Sequence, residues 1–70
     1  MKISLTFEVV RDTKNTIVYG EMQNGKVIEP RDPNAVIGQL YIQKRVIGTA
    51  ASCPKRISVE IMNATIPEGV

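Results

Sequence analysis

The stretch Cys53-Pro54-Lys55-Arg56 has the clearest reactive potential in the chain. Neighbouring cations lower a thiol's pKa and favour the nucleophilic thiolate. A nucleophile also needs a base, and the chain contains no histidine, which removes every Ser–His and Cys–His pairing. Cys53 therefore reads as a small buried residue at the start of a strand. Glu8, Glu21 and Glu60 fall on strand-like segments. Nothing in their spacing brings two of them together, so each is expected on a solvated sheet face beside lysine or arginine. The glycines, at positions 20, 25, 38, 48 and 69, lie too far apart to cradle a phosphate. One cysteine and no histidine leave no structural zinc site and no intramolecular disulfide. The expectation is no enzyme, no catalytic residue, no cofactor and no metal.

Binding chemistry is more visible. "IGQLYIQKR", residues 37–45, alternates apolar and polar side chains. Leu40 and Ile42 fall on one face, and Gln39, Tyr41, Gln43 and Arg45 share the other by the period-two rule. Residues 33–59 hold Lys44, Arg45, Lys55 and Arg56 and no acid, whereas residues 1–32 balance to zero. A tyrosine among amides and cations can stack on a base or anchor a protein interface, since Tyr and Arg are favoured in both settings. The candidate binding residues are Gln39, Tyr41, Gln43, Lys44, Arg45, Lys55 and Arg56. Lys55 and Arg56 join the row if the third and fourth main strands pair.

The elements that must position this row read as β throughout. Ile3, Leu5, Phe7 and Val9 alternate with Lys2, Ser4, Thr6 and Glu8, a half-buried strand. "RDTKN" is a polar turn, and "TIVYGEM", residues 16–22, returns antiparallel because the link is too short for a parallel crossover. Tyr19 shares the phase of Ile17 and points inward. Asn24-Gly25 is a tight turn leading to a short strand piece at residues 26–29. "EPRDPNA" holds two prolines and is an exposed loop. The third main strand spans residues 36–45. A helix over 36–47 competes with it, but Gly38 and the Val, Ile and Tyr content disfavour that. "VIGTAASCP" is a loop, and residues 55–62 form the last strand, with Ile57, Val59 and Ile61 on one face.

The segments Gly-x-Leu-Tyr-Ile-x-Lys (Gly38, Leu40, Tyr41, Ile42, Lys44) and Pro-Lys-x-Ile-x-Val (Pro54, Lys55, Ile57, Val59) carry a resemblance, as does "TKNT" at residues 13–16. The chain resembles small uncharacterised all-β proteins of bacteria and their phages over about half its length. The resemblance implies a β fold and a bacterial or phage origin, and no activity.

Seventy residues make a single domain that buries only about 60% of the surface of its unfolded chain. A core of this size supplies roughly 3–5 kcal/mol. The expected fold is all-β: a small antiparallel sheet or partly open barrel of four to five strands in two hairpins, over residues 1–63, with a loose tail at 64–70. Its apolar row of Ile3, Leu5, Phe7, Val9, Leu40, Ile42, Ile57, Val59 and Ile61 must curl into a barrel or be completed by dimerisation. No apolar run approaches the ~20 residues of a membrane span, and the first residues lack a signal-peptide core. A cytoplasmic homo-oligomer, a dimer in its simplest form, is expected. The functional expectation is a protein-interaction module (adaptor, inhibitor or oligomeric building block) using an exposed sheet face. The alternative is a nucleic-acid-binding small barrel, with Tyr41 and the basic residues contacting single-stranded or duplex nucleic acid.

Overall fold

A computed structural model describes residues 1–65 of the protein. The chain runs β1 (Lys2–Asp12), β2 (Thr16–Gln23), β3 (Lys26–Val27), β4 (Gln39–Gln43), a single helical turn α1 (Lys44–Ile47), and β5 (Arg56–Met62). The five strands form one open antiparallel sheet in which β2 and β1 are central. β5 lies outside β1, while β3 and β4 share the outer edge of β2. The sheet does not close, so the open-sheet form of the expected fold is the one adopted.

The first hairpin forms as the sequence implies. Thr13 N donates to Thr16 O at 2.9 Å, and the Thr13 hydroxyl accepts from Thr16 N at 3.1 Å, so the turn is stitched by its own side chain. The Asn24-Gly25 turn carries the positive φ values, 55° and 82°, that a two-residue hairpin turn requires. Between Val9 and Arg11 the β1–β2 register shifts, which makes Val10 the extra residue of a β-bulge. Strict alternation would send Arg11 to the same face as Val9. The bulge sends it to the opposite face, across from Val18.

The core lies on one side of β2. Phe7, Ile17, Tyr19 and Cys53 are buried together, with Leu5, Val9, Leu40, Ile42, Ile47, Ile57 and Val59 packed around them. β4 does not pair with β5 in a second hairpin, contrary to the sequence reading. It pairs with β2, setting Ile42 beside Ile17 and Leu40 beside Tyr19. Residues 44–55 then cross from the β2 edge to the β1 edge, bringing Ile47 and Cys53 onto the core. Tyr19 Oη donates to Pro54 O at 2.7 Å, fixing the crossing in place. A tight β4–β5 hairpin would leave Ile17 and Tyr19 without this cover, which is the physical reason the longer path wins.

The third strand is also shorter than expected. Val36, Ile37 and Gly38 give their N–H groups to the Glu21 carboxylate, so the regular ladder starts at Gln39 and Gly38 adds only its carbonyl, which accepts Glu21 N at 2.9 Å. At the other end Gly48 N bonds Lys44 O at 2.8 Å, which turns residues 44–47 out of the strand. Residues 63–65 carry no regular structure. The rest of the expected tail, residues 66–70, lies outside the described residues.

Candidate functional site

Gln39, Tyr41 and Gln43 stand on β4 with Leu40 and Ile42 on the opposite face, as alternation requires. Tyr41 is 56% exposed but not free-standing. Arg11 reaches it from β1: Arg11 Nη2 donates to Tyr41 Oη at 2.7 Å, and the guanidinium lies 5.5 Å from the ring centroid. Both residues are cross-strand neighbours of Val18 on β2, so their contact roofs it, and Val18 is 0% exposed. Arg11 is the residue that sequence reasoning missed. Its only signal was the bulge, and a bulge leaves no mark in the alternation until the register is known.

The basic residues do not converge on this row. Lys44 and Arg45 belong to α1, and Lys44 Nζ pairs with Asp12 Oδ2 at 3.1 Å. Arg45 therefore leaves the β4 row it was expected to cap. Lys55 Nζ donates to Ala50 O at 2.7 Å. Arg56 Nε bonds Glu8 Oε2 at 2.7 Å. Lys55 and Arg56 lie beside β1, with β2 and β1 between them and Tyr41. At about 4.8 Å per strand this is roughly 14 Å from the row, not adjacent as expected from a β4–β5 pairing.

The glutamates divide. Glu8 is bonded to Arg56, and Glu60 lies 3.6 Å from Lys2, the solvated pairings expected. Glu21 is the correction: it is wholly buried. Its phase is that of Ile17 and Tyr19, so period two itself turns it inward. The carboxylate accepts Val36 N at 3.0 Å, Ile37 N at 2.8 Å and Gly38 N at 2.9 Å, and Gln23 Nε2 at 2.6 Å. Burial alone would push its pKa up. The bonds from Gly38, Ile37, Gln23 and Val36 outweigh burial and lower it from 4.5 to about 2. A carboxylate accepting several N–H groups is expected to behave so. The site is saturated by the chain's own loop and holds that loop against β2.

Cys53 packs in the core, the structural role expected of it. Burial, with Cys53 alongside, pushes the neighbouring Tyr19 hydroxyl up to about 12. Among the described residues there is no cluster of metal-ligating side chains, and no helix long and apolar enough to cross a membrane.

A second surface lies on the core side of the sheet. Ile3 and Leu5 on β1 and Ile57, Val59 and Ile61 on β5 face the same way and pair across the ladder, yet each is only half-buried. The buried cluster of Phe7, Ile17, Tyr19 and Cys53 packs against Leu5, Ile57 and Val59 but does not reach Ile3 or Ile61. The β1–β5 end of the apolar face is thus left half-covered. No family model, curated relative or solved structure matches this chain.

Proposed function

We propose that this is a self-associating protein-interaction module that docks a partner protein on its sheet, of bacterial or phage origin and acting in the cytoplasm. One observation carries the reading: Ile3, Leu5, Ile57, Val59 and Ile61 form a continuous, half-covered apolar face on β1 and β5. A sheet must bury such a face against another layer, and these five side chains are only partly covered by their own chain. The nucleic-acid alternative draws on Tyr41 with Arg11 over its ring, a stacking platform next to a cation. Two of the cations it needs are paired within the chain, Lys44 with Asp12 and Arg56 with Glu8, while Lys55 bonds the neutral Ala50 carbonyl and keeps its charge.

Recovery from host lysate, with and without nuclease, separates the two. The comparison is between wild type, the pair Ile3→Ser with Ile61→Ser, and Tyr41→Ala. A protein partner survives nuclease and moderate salt and is lost with the serine pair. A nucleic-acid ligand is lost with nuclease and with Tyr41→Ala, and its affinity falls steeply as salt rises. Recovery of one partner set by all three chains would sink both readings.

A further inference from the structure

We propose that a second copy of this chain pairs with the open edge of β5, antiparallel and in register about Ser58, joining two sheets into one. The inference rests on the interaction-module reading and gives it a first partner and a defined edge.

β5 is the longest strand with a neighbour on one side only: seven residues, against two in β3 and five in β4. Val9 N donates to Lys55 O at 3.0 Å. Because an antiparallel ladder alternates, residues 55, 57, 59 and 61 direct their backbone groups to β1, and Arg56, Ser58 and Glu60 direct theirs to the free edge. No other backbone bond reaches these three among the described residues. Folded proteins blunt such edges with proline, bulges, short length or charged side chains, and of these β5 has only the last, in Arg56 and Glu60. Residues 56–62 have no proline and pair with β1 without a register shift.

The order of the side chains names the occupant. Free-edge residues must meet free-edge residues, so the register can move only in steps of two. Centred on Ser58, an antiparallel copy sets Arg56 against Glu60 of the other chain at both ends, and Ile57 against Val59 on the apolar face. Moving the centre by one residue sets Ser58 against Glu60, or Arg56 against Ser58, and leaves the charges unmatched. Moving it by two sets Glu60 against Glu60, or Arg56 against Arg56. The strand is thus complementary in charge to its own reverse in one register alone.

The flanking strands reinforce that register. Arg56 already bonds Glu8 at 2.7 Å, and Glu60 lies 3.6 Å from Lys2. Pairing produces a row of alternating sign across the joined sheet: Lys2, Glu60, then Arg56 and Glu8 of the copy. Pro54 has no N–H to offer, so the ladder ends just beyond Arg56, and the paired stretch is centred on Ser58. The contact is isologous and closes at two copies. It also sets the half-covered apolar faces of both chains side by side, so the surface offered to a partner protein is built from two copies.

The test is sedimentation equilibrium of the full chain as wild type, Arg56→Glu, Glu60→Arg, and an equimolar mixture of the two variants, each checked for β signal by circular dichroism. The wild type should dimerise. Each variant alone opposes like charges at both ends and should weaken the dimer by about tenfold or more. In the mixture every end regains opposite charges, so a heterodimer of near wild-type affinity should form. Independently, Ser58→Cys on the two-fold axis should give a covalent dimer with oxidised glutathione, since paired Cα atoms about 5.5 Å apart are within disulfide reach. Thr6→Cys, one strand inward on the same face, should not. A wild type that stays monomeric, variants as tight as wild type, or a mixture no tighter than its components would each overturn the edge pairing. A monomeric wild type would also remove the self-association from the proposed function, whereas partner docking is read out separately by the Ile3 and Ile61 substitutions.

Discussion

At the scale of single residues, the most consequential group is one with no free chemistry. Glu21 holds Val36, Ile37 and Gly38 by their N–H groups, and its pKa is lowered to about 2. A carboxyl that is depressed in the folded state adds stability that is complete above its unfolded value, near 4.5, and disappears as pH falls through about 2. At 1.36 kcal/mol per unit this is on the order of 3 kcal/mol. Urea unfolding should therefore show stability declining across that interval. Glu21→Gln, which sets an amide against amide donors, should lose about 2 kcal/mol or more at neutral pH and flatten that part of the acid profile. A variant with an unaltered acid profile would show that the loop is held by other contacts. Arg11 and Tyr41 are the other pair whose worth is local. A double-mutant cycle with Arg11→Ala and Tyr41→Ala should give a coupling of about 0.5–1 kcal/mol, and each single change should expose Val18. Additive effects would show that the stacked geometry contributes nothing.

At the scale of elements, β2 explains why parts of the fold were legible in the sequence and others were not. Alternation placed Ile17 and Tyr19 inward and Tyr41 outward, because period two is a property of the strand alone. The partner of β4 was not legible: Leu40 and Ile42 can pack beside any apolar strand, and only the need to cover Ile17 and Tyr19 selects β2. The position of Arg11 was hidden for a similar reason, since Val10 looks like any other strand residue until the ladder is formed. The candidate row survives as Gln39, Tyr41 and Gln43, while the cations sort by topology that no local pattern carries. Gly20 records the close packing on the outer side of β2. A Cβ there would stand 2.7 Å from Val27 Cγ1 and 2.9 Å from Val10 Cγ1. Gly20→Ala should cost roughly 1–3 kcal/mol from overpacking, and pairing it with Val27→Ala should recover much of that loss in chemical denaturation. If the single change were neutral, β3 and the bulge would not be packed over Gly20 in solution.

At the scale of the whole molecule, the sheet has more apolar face than its own loops cover. Among the described residues Phe7, Ile17, Tyr19 and Cys53 are buried together on the core face, and Val18 is buried on the other face beneath Arg11 and Tyr41. The β1–β5 end contributes half-buried isoleucine, leucine and valine. With no disulfide and a chain whose single core supplies roughly 3–5 kcal/mol, association should be a measurable part of stability. Anything that binds the folded chain and not the unfolded one raises the midpoint in proportion to the logarithm of its concentration. When the partner is a second copy, a tenfold rise in protein concentration corresponds to about 1.4 kcal/mol per dimer, or about 0.7 kcal/mol per chain. For a domain of this size each kcal/mol moves the midpoint by about 4–8 °C. Thermal melts across a dilution series should therefore shift upward by several degrees per decade in wild type. The shift should shrink in Arg56→Glu and return in the mixture with Glu60→Arg. A wild-type midpoint that does not move across the series would mean that one chain closes its own energy balance with the β1–β5 face left half-covered, and the apolar row would then belong to a different protein.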